Sequence, residues 1–114
     1  MSCNYYPSFA SVKQGNTWLF SFTWMTPSGP LQIHNSCATM SIRTRRTFDL
    51  IASITDDNIM IMPEQGKVLV TVPEIITKNI HPDTYLSDVK LVFADTGYTI
   101  SSQTMQIPVE VNIT

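Results

Sequence analysis

The chain has 114 residues, a net charge of -2 and a pI of about 5.5. That charge leaves no global basic field to gather nucleic acid, and no apolar run approaches the ~20 residues of a membrane-spanning helix. Charged residues make up only 14%, against roughly 25% in an average soluble domain, while 43% apolar residues suffice for a core without staples.

These values suit one domain over 1–114, with 1–7 and 112–114 as extended arms. MSCNYYPSF lacks the positive and apolar regions of a secretory leader, so production in a cytosol-like compartment is expected. By count, Cys3 and Cys37 allow one disulfide, but the expected compartment favours two reduced thiols.

TWLFSFTWM alternates with period two, placing Trp18, Phe20, Phe22 and Trp24 on one face of a strand. Leu19 and Met25 fall on the other face with Thr17, Ser21 and Thr23. The aromatic stripe reads as the core wall of a central strand, with a stacking platform as the other use. TPSGP is a turn, LQI (31–33) a short extended piece and HNS (34–36) a loop.

CATMSIRTR alternates again, with Ala38, Met40 and Ile42 inward and Arg43 and Arg45 on one outer face. TFDLIASI continues with Phe48, Leu50, Ala52 and Ile54 on one face. Asp56-Asp57-Asn58 is a turn, NIMIM a strand apolar on both sides, and PEQGK another turn. KVLVTV points Val68, Val70 and Val72 inward.

PEIITKNI carries the one helical signal, a short crossover over 73–80 with Pro73 at the first helical position and Glu74 near the helix start. TYLSDVKLVF then places Tyr85, Val89, Leu91 and Phe93 on one face. In the last segment Ile100 has even parity, whereas Met105, Ile107, Val109 and Val111 are odd, so a bulge is expected at 101–104. Pro108 places its strand at an edge or at a switch between sheets. The expected fold is all-β: an antiparallel, immunoglobulin-like sandwich of seven to nine strands without the Cys-Trp-Cys pattern.

Three features bear on chemistry. Asp95-Thr96-Gly97, preceded by Leu91-Val92-Phe93, spells the signature of aspartic proteases, where two aspartates share a proton across a symmetric site. Only 17 residues follow Gly97, none of them glycine, so the flap and closing apolar–Gly element of retroviral-type enzymes have no counterpart. Asp and Gly are also what a tight hairpin needs, and the hairpin reading is preferred.

Arg43, Arg45 and Arg46 hold three of the seven positive residues. They read either as a solvated strand face or as contacts to an acidic partner. His34 and Cys37 are a metal half-site at best, and no phosphate-binding glycine loop is present. The expectation is therefore no enzyme, no metal and no cofactor.

The order of features carries a resemblance. VKQGNTWLFSFTWMTPSGPLQI has a Gln-Gly, an aromatic strand ending in Trp, a turn and an apolar triplet; ATMSIR follows. Then come Gly66 with KVLVTVPE, and DTYLSDVKLVFADTGYTISSQTMQIPVEV with its Tyr, hairpin and closing strand. This order resembles small β-sandwich virion proteins of tailed bacteriophages, including the N-terminal domain of upper baseplate proteins. The loop from Arg45 to Asn58 is longer and more apolar than in that pattern.

The resemblance implies a non-enzymatic structural component of a head, neck, tail or baseplate, made in the host cytoplasm. Its partners would be other virion proteins and copies of itself, with no nucleic acid and no membrane. The alternative is a ligand- or receptor-binding sandwich that presents exposed aromatics.

Overall fold

A computed structural model describes residues 6–113. In chain order the strands are β1 (Val12–Lys13), β2 (Trp18–Thr23), β3 (Met25–Thr26), β4 (Gly29–Pro30), β5 (Ser36–Thr44), β6 (Leu50–Ile54), β7 (Ile59–Met62), β8 (Lys67–Val72), β9 (Asp83–Phe93), β10 (Thr99–Ser101) and β11 (Met105–Glu110). A single α-helical turn, α1 (Glu74–Thr77), lies between β8 and β9. Eight of these strands have three or more residues, within the expected range; the other three are two-residue pairings.

The smaller sheet has the order β2-β8-β7. Alternation decides its two faces: Trp18, Phe20, Phe22, Val68, Val70 and Val72 are buried, while Leu19, Ser21 and Thr23 stand outside. β2 and β8 pair antiparallel in unbroken register from Trp18↔Val72 to Thr23↔Lys67. The larger sheet runs β1-β11-β9-β5-β6, with β10 also beside β9. It adds Ala38, Met40, Ile42, Ile54, Tyr85, Val89, Leu91, Ile107 and Val109 to the same core. Each fully buried aliphatic or aromatic side chain contributes about 1.5–3 kcal/mol. The result is an all-β sandwich of immunoglobulin-like form.

One pairing departs from the antiparallel pattern. β1 runs parallel to β11, with Val12↔Val109 and Lys13↔Glu110 in register. The segment before it already follows β11: the amides of Phe9 and Gln106 donate to the carbonyls of Gln106 and Pro7, respectively. Tyr6 and Pro7 are thus held against β11, the Tyr6 carbonyl accepting from Gln106 Nε2 at 2.8 Å; the rest of the expected arm over 1–7 lies outside the described residues. Pro108 falls between the Ser8↔Gln106 bridge and β1, where no ladder needs its missing N–H. The Lys13 ammonium meets the Glu110 carboxylate at 2.9 Å, and this hydrogen-bonded contact holds the carboxyl below its usual range.

The bulge expected at 101–104 is present. Between Ser101↔Lys90 and Met105↔Ser87 this strand takes four steps against three on β9. That extra residue accounts for the change of parity between Ile100 and Ile107.

The crossover is shorter than its pattern and starts one residue later. Pro73 is the N-cap, with extended φ -71° and ψ 157°, not the first helical residue. Thr77 is buried, and its hydroxyl donates to the Asn16 carbonyl at 2.7 Å, joining the helical turn to the loop before β2. Just beyond, the Tyr85 hydroxyl donates to the His81 carbonyl at 2.7 Å. This is the corner contact typical of immunoglobulin-like sandwiches, formed here without an inter-sheet disulfide on that strand.

Several local expectations change. LQI (31–33) joins no sheet; its Ile33 is a buried plug whose amide donates to the Pro63 carbonyl. Trp24 lies just past β2 and is half-buried, so three aromatics rather than four form the core stripe. Phe48 and Leu50 are exposed, and of their expected face only Ile54 is fully inside. For Leu50 the cause is an extra residue on β6: Ile42 pairs with Ala52 but Arg43 with Leu50, which displaces Ile51 and breaks the alternation; Phe48 lies before β6 in the connection, with φ 58°.

Candidate functional site

Asp95, Thr96 and Gly97 form the tip of the hairpin joining β9 to β10, all exposed. The Phe93 amide donates to the Tyr98 carbonyl and the Gly97 amide to the Phe93 carbonyl, closing the turn. Gly97 has φ 73°, the left-handed conformation that favours glycine. The Asp95 carboxylate accepts from Asn35 Nδ2 at 3.2 Å, and the Ala94 amide donates to the Asn35 carbonyl at 2.8 Å. The Thr96 hydroxyl oxygen accepts from the Tyr98 amide at 3.2 Å, so each of the three letters has a role in turn geometry.

The arginines separate. Arg43 is the last but one residue of β5, and its Nη1 donates to the Phe48 carbonyl at 3.0 Å. Arg45 and Arg46 lie beyond the strand end in the β5–β6 turn, so Arg43 and Arg45 do not share a strand face. Arg45 and Arg46 border an open hollow with Thr44 and Asp83, and all three arginines are exposed. They remain accessible to an acidic partner, but as a turn rather than a row.

The aromatic stripe is inside. Trp18, Phe20 and Phe22 are at most 5% exposed, and Phe9 from the N-terminal segment packs on Phe20 and Phe22 at ring-centre distances of 4.6 and 5.5 Å. These rings are not available as a stacking platform. The Trp18 Nε1 donates to the Lys13 carbonyl at 2.8 Å, which fixes the turn entering β2.

The apolar surface lies on the opposite side of the same sheet. On its outer face Met60 of β7 pairs with Leu69 of β8, and Ser21 of β2 lies across from Leu69 on the other side. Leu19 is one row along, opposite Thr71. Leu19 is 75% and Met60 62% exposed. Together with Leu69 they line an open groove of about 620 Å³, with Asp57 and Asn58 at one rim.

The sequence carried the signal for this face. Leu19 is an apolar residue on the polar side of an alternating strand, and NIMIM is apolar on both sides. Exposed apolar residues of this size, gathered across neighbouring strands, form a patch of the kind found at interaction sites.

Among the described residues no three of His, Cys, Asp and Glu come together as a metal site. His34 Nε2 lies 3.2 Å from Gln32 Oε1, and Cys37 is exposed. Cys3 lies outside the described residues, so the pairing of the two thiols does too.

No protein-family model matches the chain, and no curated protein sequence does. Among solved structures, CopC from Methylosinus trichosporium OB3b is similar, with a TM-score of 0.50 at 12% identity over 96% of this chain and 91% of that one. At that identity the likeness speaks for the fold alone. It reaches across nearly the whole chain, in keeping with one sandwich built from both sheets.

Proposed function

We propose that this chain is a non-enzymatic structural component of a bacteriophage virion, associated with the head, neck, tail or baseplate and acting through multi-copy assembly. The observation that carries the reading is the exposed apolar face of Leu19, Leu69 and Met60 on the small sheet. A charged share of 14% leaves few charges to keep copies apart. The order of sequence features, which resembles phage sandwich proteins, supplies the virion context. The turn roles of Asp95, Thr96 and Gly97 favour this reading over acid proteolysis, because each is accounted for by the hairpin.

The second reading is a ligand-binding sandwich, and the 620 Å³ groove is the feature in its favour. Phe20 is the one aromatic residue of its lining and its ring is buried, so the groove suits a protein contact better than stacking on sugars or bases. Mass spectrometry of purified particles, from a phage whose genome encodes this chain, tests the proposal. It predicts the chain in many copies per particle; particles that infect normally and lack it would overturn it.

A further inference from the structure

We infer that the free edge of β2 is a self-association site, pairing antiparallel with β2 of a second copy about a two-fold axis at Ser21. The inference deepens the assembly reading and rests on it for its biological setting, but the contact itself is a property of the chain.

The backbone makes the first argument. β2 has β8 on one side and no strand on the other. Among the described residues no backbone hydrogen bond reaches that other side. The described part of the N-terminal segment follows β11 in the opposite sheet rather than this edge. Unpaired N–H and C=O groups along an edge call for an extended strand.

The side chains make the second. Native sheets blunt their edges with charges, prolines, bulges or shortness. The other free edges show these devices: β6 carries the irregularity at Ile51, β7 is four residues long between Asp56-Asp57 and Pro63, and β10 is three residues. β2 shows none of them. It is WLFSFT, six uncharged residues in regular register.

The third argument selects the occupant. The edge asks for an uncharged strand with alternating apolar residues, and β2 itself is such a strand. Side chains on opposite strands must share a face, so a two-fold axis must pass through a residue. Placed at Ser21, it sets Ser21 against Ser21 of the second copy, and Leu19 against Thr23. Small side chains meet on the axis, no like charges face each other, and part of Leu19 is covered. On the inner face the same axis sets Phe20 of one copy against Phe22 of the other, an aromatic cross-strand pair. The joined sheet has six strands and brings the two exposed aliphatic faces onto one continuous surface.

The test uses the full chain with Cys3→Ser and Cys37→Ser as background. Ser21→Cys places two thiols across the axis, where facing Cβ atoms are about 4.5–5.5 Å apart, close to disulfide geometry. Mild oxidation is expected to convert Ser21→Cys into a covalent dimer, while Ser53→Cys on the β6 edge stays monomeric. Without oxidant, the background protein at high concentration is expected to scatter light as a dimer and its Ser21→Lys variant as a monomer, with the same far-UV circular dichroism.

A Ser21→Cys protein that stays monomeric, or that cross-links no faster than Ser53→Cys, overturns the inference. Many copies in particles without this cross-link would remove only the edge assignment. The cross-link in a chain absent from particles would leave the edge and remove the virion reading.

Discussion

The hydroxyl of Tyr85 donates to the carbonyl of His81 at 2.7 Å, four residues upstream and just before β9. The ring is buried, and the contact pins the end of the crossover to the first inward position of the longest strand. Burial raises the phenol's pKa above the ordinary tyrosine value, and the nearby Asp83 carboxylate adds to the shift.

Tyr85→Phe keeps the ring and removes the bond, so it is expected to cost about 1 kcal/mol in a urea titration. The wild type is also expected to lose stability in alkali. A phenol with a raised folded pKa keeps its proton after the unfolded chain has released one, so unfolding is favoured as pH climbs beyond about 10. Tyr85→Phe should flatten that part of the stability–pH curve; an unchanged slope would exclude Tyr85 as its source.

Gly66 is expected to tolerate nothing larger. Its φ is 60°, and an added Cβ would lie 2.6 Å from the Trp24 carbonyl oxygen and 2.7 Å from that of Leu31. Those atoms belong to backbone that holds the β3–β4 region onto β8, with the Trp24 amide donating to the Gly66 carbonyl at 2.8 Å. Gly66→Ala should cost roughly 3 kcal/mol and lower Tm by on the order of 10 °C. Gly97 has open space around it, so Gly97→Ala should cost less, through its positive φ alone.

Thr77→Val removes the 2.7 Å bond to the Asn16 carbonyl at nearly constant volume. The expected cost is about 1–2 kcal/mol by chemical denaturation. Faster amide exchange in the loop before β2 would show that the tie between loop and crossover has been lost.

Much of the core was legible because strand parity is a local property. The inward faces of Val68, Val70 and Val72, and of Tyr85, Val89 and Leu91, follow from alternation alone. Parity fails where one residue is inserted: the irregularity at Ile51 turns Leu50 outward, and no local residue type announces it. Parity also says nothing about neighbours. The parallel course of the N-terminal segment along β11 is a tertiary choice, stabilised by Phe9 packing on Phe20 and Phe22.

The candidate surface was half legible. Leu19 and the two-sided NIMIM segment stood out as misplaced apolar residues, but only the pairing of β2 and β7 with β8 brings them onto one face. The arginines show the converse. They are close in sequence, yet the end of β5 at Thr44 sends Arg45 and Arg46 into a turn.

On the proposed reading, this chain works through its apolar sheet face rather than through chemistry at Asp95. The most direct measurement is particle incorporation, by quantitative mass spectrometry of purified virions, of Asp95→Ala and of the double variant Leu19→Lys/Met60→Lys. All three replaced positions are surface sites whose folding cost is expected within about 0.5 kcal/mol each. The account predicts wild-type incorporation and infectivity for Asp95→Ala, and loss of the folded double variant from particles. Normal incorporation of the double variant together with failure of Asp95→Ala would contradict it.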